Sequence, residues 1–346
     1  MDIIKTSLLY GSFFETLAYN NGLWKNNFNV QTISLDKSIE FNYRYLLDFI
    51  KEGGLNISLK DKQTFKGTQM TLIVIDSIKK NVSFYKNFFN FLDIPTFNDI
   101  ALEKAIQFYK TKKPEDKEVF FFEGKLKIQD NDLALIRVFP YGIYIKDIHT
   151  IIETVIKDAS ITNIQSIFST LSSIALAIIF HYSIQKINPK LWFQYLLKNK
   201  QNIIKGFSNV FKYYKKFMEE INEFFDYIEE YNQYRIPYLL NNKYLNPKDI
   251  IKTFSQLFAR PIYNTNNYTN LAYRPLDCLL YAYETIIISL KNNDIDLQTL
   301  IINSCLHVGN NVSIGFIAGS LYGSYYQELH TLDFKSLKSF KQINSI

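Results

Sequence analysis

Apolar residues in this chain recur every three or four positions over most of its length, and that period confines the chain to a helical fold. The clearest series is Ile203, Phe207, Val210, Tyr214, Phe217, Ile221, Phe224 and Ile228, whose steps alternate between four and three. It predicts one amphipathic helix over 203–228 with a heptad-like stripe. Docking on the protein's own core is the simplest use of such a stripe. Self-association or a protein partner through the 203–228 helix is the second.

The same period predicts helices at Thr71–Phe89, Asn98–Lys110, Tyr144–Lys157, Ser166–Gln185, Pro275–Leu290, Leu297–His307 and Ser313–Tyr325. Asn246-Pro247 starts another, with Asn246 able to cap and Pro247 suited to the first turn. Strand character is confined to Val119–Leu126, and Asn264–Asn267 reads as a polar loop. With 12 glycines and 8 prolines in 346 residues, long loops are rare. No internal repeat or linker divides the pattern. The expected fold class is all-α: a single orthogonal multi-helix domain over residues 1–330, then a C-terminal tail at 331–346.

Composition excludes several classes. A hydrophobic fraction of 47% with a net charge of +6 is not that of a disordered chain. Two cysteines, Cys278 and Cys305, cannot make a disulfide scaffold, and they fit a reducing, cytoplasmic setting. Lysine and glutamate are interspersed over Lys215–Phe225, which reads as a solvated helix face, so no nucleic-acid partner is expected. The start, with Asp2 early and no basic stretch before the apolar run, does not read as a signal peptide. The longest apolar run, Ile161–Phe180, carries Asn163, Gln165, Ser166, Ser169, Thr170, Ser172 and Ser173. That polarity suits a buried core helix and no membrane role.

No CxxC, HExxH, P-loop or GxSxG motif is present. His149, His181, His307 and His330 are scattered, as structural or surface histidines are. Asp294 and Asp296 read as a turn and a helix cap, with too few oxygen ligands for a calcium loop. The densest signal is Leu306–Tyr326. Gly309-Asn310-Asn311 forms a turn there, ahead of a helix with Gly315, Ala318, Gly319 and Gly323 on one side. Such a turn at a helix N-terminus suits an anion or a metal-held ligand. The small residues equally suit close packing against a neighbour.

Four segments taken in order, Leu9–Ala18, Thr68–Leu72, Ile136–Pro140 with Ile161–Asn163, and Gly309–Gly323, resemble the ADP-ribosylglycohydrolase family, relatives of dinitrogenase-reductase-activating glycohydrolase. Asp277–Leu290 fills the helix expected before the last segment. The resemblance implies an all-α enzyme that uses two magnesium ions to release ADP-ribose from modified side chains. Its Thr-Asp-Asp motif falls on Phe65, Lys66 and Gly67, and its Asp-x-Asp-Thr motif on Asn310, Val312 and Ser313. None of the four aspartates is present. Asn20–Leu23 lacks the acidic residue that follows the opening motif, whose Gly-Asp aligns to Glu15-Thr16. Asp130-Asn131-Asp132 stands where the family has a phosphate-binding turn, and its charge repels a diphosphate. The ligand-binding positions the resemblance leaves are Thr68, Gly309, Asn310 and Ser313. The expectation is a pseudo-hydrolase with no cofactor and at most weak ADP-ribose binding. The alternative is an active hydrolase of altered mechanism, which alone would call for two Mg²⁺. Glu15 is the one carboxylate near the expected pocket, though a lone Glu in a helix more often caps it or sits at the surface.

Overall fold

A computed structural model describes residues 2–24, 35–84, 87, 132–160, 167–241, 274–307, 309–330 and 332–346. The expected helices at Asn98–Lys110 and after Asn246, the strand at Val119–Leu126, the loop at Asn264–Asn267, the Ile161–Asn163 match and Asp130-Asn131 lie outside these residues. In chain order the helices are α1 (Ile3–Tyr19), α2 (Leu35–Lys51), α3 (Lys66–Lys79), α4 (Phe139–Tyr144), α5 (Ile148–Ala159), α6 (Ile167–Ile184), α7 (Trp192–Leu197), α8 (Lys200–Val210), α9 (Met218–Glu230) and α10 (Ile236–Asn241). Then come α11 (Pro275–Ile288), the hairpin β1 (Leu290–Lys291) and β2 (Asp294–Ile295), α12 (Leu297–Cys305), α13 (Asn311–Tyr326) and α14 (Phe340–Asn344). The protein is all-α, with one antiparallel two-residue pair as its only sheet among the described residues. It divides into two compact units, Met1–Thr68 with Gln233–Ile346, and Gln69–Asn232.

The first unit is built on α1 and α13. Asp2 caps α1 by accepting from the Ile4 amide at 3.1 Å. Helix α13 is buried from Asn311 to Ser324 and so has no solvent face. A Cβ added at Gly315, Gly319 or Gly323 would lie 3.3, 2.6 or 2.7 Å from the carbonyl oxygens of Phe14, Tyr10 and Thr6. As α13 advances by four residues, its partner on α1 steps back by four, so the helices run antiparallel with a row of glycines against a row of carbonyls. Gly11 supplies the reciprocal gap, since its Cβ would fall 2.1 Å from Ser320 Oγ. The small-residue stripe is therefore a packing surface.

Residues 332–346 are also built into this unit. Phe334 meets Tyr10 and Phe13 edge-to-face, Ser339 shares a hydrogen bond of 2.8 Å with Ser12, and Ile343 is fully buried. The Asn292-Asn293 turn takes positive φ at both residues, which the right-handed twist of a two-residue hairpin loop favours. Asp296 caps α12 through the Thr299 amide, as its sequence context predicts.

The second unit packs α4, α5, α7 and α9 around α6, with α8 laid against α5. Helix α6 is the one described helix long and apolar enough to cross a membrane, and 89% of it is buried inside the protein. Gly142 of α4 lies so close to it that a Cβ would fall 2.1 Å from the Ala177 oxygen. Ser172 and Ser173 bond back to the carbonyls of Phe168 and Ser169, so their hydroxyls are satisfied within the helix.

Three of the expected helices differ from the sequence reading. Helix α3 starts at Lys66, five residues before Thr71, because its first turn is capped from outside the local sequence (below), and it ends at Lys79, ten residues before Phe89, where Asn81 turns to φ +51°. The expected Tyr144–Lys157 helix is split at 145–147, where Asp147 accepts from Thr150 and starts α5 afresh. The expected 203–228 helix is not continuous. It breaks at Phe211 (φ −117°, ψ 118°) into α8, a short 3₁₀ turn and α9. Packing of Phe207, Phe211 and Phe217 around one corner keeps the 4-3 spacing in register across the break. Five of the eight stripe residues, Ile203, Phe207, Ile221, Phe224 and Ile228, are fully buried in this unit. Helix α2 was not foreseen; it buries Tyr45 and Phe49 on one side.

Replacing Gly319 with Ala should destabilise the protein by about 1–3 kcal/mol, since neither the Tyr10 carbonyl nor the Phe14 ring can retreat without parting the helices. Thermal unfolding of Gly319→Ala measures this, and an unchanged midpoint would contradict the packing.

Candidate functional site

The first turn of α3 has no capping residue of its own: the position before Lys66 is Phe65. A side chain from α1 does that work. Glu15 Oε1 accepts from the Gly67 amide at 2.6 Å, and Oε2 accepts from the Thr68 amide at 3.1 Å and Thr68 Oγ1 at 2.6 Å. The Phe65 amide also contributes. An anion at a helix N-terminus satisfies amides that the helix cannot and meets the positive end of its dipole. Glu15 is nevertheless 1% exposed, and burial pushes its pKa up to about 7 against the opposing pull of the Thr68, Gly67 and Phe65 donors.

Gly67 is forced by this arrangement. Its Cβ would lie 2.6 Å from Glu15 Oε1 and 2.9 Å from the Phe316 ring. The Phe65–Thr68 turn and helix α13 are thus neighbours, and Phe316, one turn beyond Ser313, fills space between them. Tyr19 stacks on Phe65 at 4.9 Å, and the Lys66 ammonium lies 5.9 Å from the Phe65 ring centre.

The second turn is equally closed. Gly309 has φ +112°, a conformation that glycine alone adopts readily. Asn310 starts α13 but makes no side-chain cap. Asn311, read in the sequence only as part of a polar turn, is fully buried and donates to the carbonyls of Ala18, Trp24 and Cys305 at 3.1, 3.4 and 3.0 Å. Val312 and Ser313 are buried at 3% and 2% exposure. Of the four expected ligand positions, Thr68 is committed to Glu15, and Gly309, Asn310 and Ser313 sit within this closed turn. Among the described residues, no three His, Cys, Asp or Glu side chains gather where they could hold a metal.

A sequence profile of the ADP-ribosylglycohydrolase family matches residues 33–330. The chain belongs to that family. A protein of Acanthamoeba polyphaga mimivirus, provisionally named an ADP-ribosyl glycohydrolase, is 24% identical over 370 aligned residues, covering 99% of this chain and 68% of the viral protein.

Other segments that carry the family resemblance are structural here. Arg137, of the Ile136–Pro140 segment, is fully buried. Its Nε donates to Asp158 Oδ1 at 2.7 Å, and its guanidinium centre lies 4.5 Å from the Phe84 ring centre. Tyr141 donates to the other Asp158 oxygen at 2.7 Å, and burial raises its phenol pKa well above the ordinary value. In place of the family's acidic residue after the opening motif, Asn20 accepts from Lys62 Nζ at 2.6 Å, and Lys62 also pairs with Glu52. Asn21 clamps the same strand of chain through the Asp61 carbonyl and the Gln63 amide. The missed feature is that Glu15 caps a helix 52 residues away; its only local trace is a carboxylate in an otherwise apolar stretch of α1.

The folded protein holds the Glu15 proton more tightly than the unfolded chain does. This group's stabilising contribution is full below pH about 4.5 and is lost as pH rises through about 7. The loss amounts to about 3 kcal/mol at most. Glu15→Gln should flatten that part of the stability profile. Urea unfolding of both proteins across this range measures it, and superimposable pH slopes would show that Glu15 does not titrate there.

Proposed function

We propose that this member of the ADP-ribosylglycohydrolase family is a pseudo-hydrolase, which keeps the family fold and serves as a binding or assembly module without cleaving ADP-ribose linkages. The observation carrying the reading is the fate of the first metal-motif turn. Its Gly67 and Thr68 amides and the Thr68 hydroxyl are taken by a protein carboxylate.

Two magnesium ions do not fit the residues present. Mg²⁺ is held through hard oxygens, usually with carboxylates offsetting the mutual repulsion of paired dications. The positions that would supply them are Phe65, Lys66, Gly67, Asn310, Val312 and Ser313: one cation, three groups without a side-chain oxygen, one amide and one hydroxyl. Glu15, the carboxylate that meets the first of these turns, has both oxygens engaged. Glycosidic hydrolysis needs carboxylates or a metal to orient water. A shielded carboxylate saturated with donors is poorly placed for that.

The alternative is an active hydrolase of altered mechanism. Its one favouring feature is the Glu15 pKa of about 7, the range a general acid–base group uses. The readings part in one assay. Purified protein is incubated with peptides ADP-ribosylated on Arg or Ser, with and without Mg²⁺, alongside Glu15→Gln. No release of ADP-ribose is expected under any condition. Metal-dependent release ends the pseudo-hydrolase reading, and metal-free release that Glu15→Gln abolishes establishes the alternative. Calorimetry should find free ADP-ribose binding no tighter than about millimolar.

A further inference from the structure

Between Asp158 and Glu219 the chain carries eight lysines and no acidic residue. These are Lys186, Lys190, Lys198, Lys200, Lys205, Lys212, Lys215 and Lys216, and together they exceed the +6 of the whole protein, so the remainder is net negative. The alternation of lysine and glutamate seen at Lys215–Phe225 is only the border of this block. Among the described residues, none of Lys198, Lys200, Lys205, Lys212, Lys215 and Lys216 forms an ion pair.

The break between α8 and α9 concentrates part of this charge. Phe207, Phe211 and Phe217 turn together with ring centres 5.5–6.3 Å apart. That leaves Lys212, Tyr213, Lys215 and Lys216 exposed on the outside of the same corner. Tyr213 is 68% exposed, with the Lys212 ammonium 5.6 Å from its ring centre. Residues Lys212 to Lys216 line a shallow cleft of about 400 Å³. Glu219 and Glu220 follow in the first turn of α9 and mark the end of the lysine block.

An exposed aromatic face set among unpaired ammonium groups offers stacking and phosphate neutralisation side by side. These are the two interactions by which single strands are held without regard to sequence. An interfacial membrane helix pairs its lysines with a broad apolar face, whereas Tyr213 is the one exposed large hydrophobic side chain of this turn. We propose that the Lys212–Lys216 turn binds single-stranded nucleic acid, with Tyr213 stacking on a base and Lys212, Lys215 and Lys216 on neighbouring phosphates. The proposal is independent of whether ADP-ribose is cleaved.

Fluorescence anisotropy of the full-length protein with labelled oligothymidylate and oligouridylate tests it, with salt varied between about 50 and 200 mM. The logarithm of affinity should fall against the logarithm of salt with a slope of about −2, as three phosphate contacts to a single strand require. Tyr213→Ala should weaken binding at least about fivefold, the low end of a lost stacking contact. The triple variant K212E/K215E/K216E should abolish the salt-dependent part. Circular dichroism would confirm that both variants fold. The proposal is overturned by no binding at low salt, by binding that both variants retain, or by phosphatidylserine vesicles that capture the protein when neither oligonucleotide does. Polyglutamate that competes as well as the oligonucleotides would also overturn it, because stacking would then contribute nothing.

Discussion

In the first unit, α13 approaches α1 to a distance that only hydrogen at Cα permits. Gly315, Gly319 and Gly323 meet the Phe14, Tyr10 and Thr6 carbonyls in antiparallel register, and Gly11 answers from the other side. A helix buried on every side has no amphipathic face to orient it. Its position must come from shape, and the glycine row supplies the shape. The C-terminal segment packs on α1 through Phe334 and Ser339 and buries Ile343.

That close pairing fixes where Glu15 points. With α1 held against α13, the carboxylate meets the start of α3, where Gly67 fits between Glu15 and Phe316. An uncapped helix start and a buried carboxylate would each be costly alone; together they satisfy one another. The first turn of α3 is thereby supplied with an anion from within the protein. Asn311 acts in the same way on the second turn, joining the ends of α1 and α12 through three backbone carbonyls. Both turns are consolidated by protein-to-protein hydrogen bonds.

Much of this was legible in the residues. Helices α6, α11, α12 and α13 fall within two residues of the bounds their apolar period gives, because long uninterrupted runs leave the backbone few choices. The 203–228 stripe misled for a physical reason. Its 4-3 spacing reports which side chains face the core, and an aromatic corner at Phe211 preserves that facing while the helix itself breaks. Helix α3 was misplaced because its start signal is Glu15, which local sequence reasoning cannot connect to it. Asn311 reads in the sequence only as part of a polar turn, because the carbonyls of Ala18 and Trp24 that it meets lie near the other end of the chain.

The sequence by itself determined the all-α class, the family, the use of small residues along α13 and the lack of aspartates at the metal-motif positions, since each is a matter of local period or residue identity. Only the tertiary structure decided that the small residues serve contact with α1, that Glu15 caps α3, and that Tyr213 and its lysines stand on the outer side of a corner. Each of these depends on which distant segments are brought together, and a carboxylate's role is set by the donors it meets.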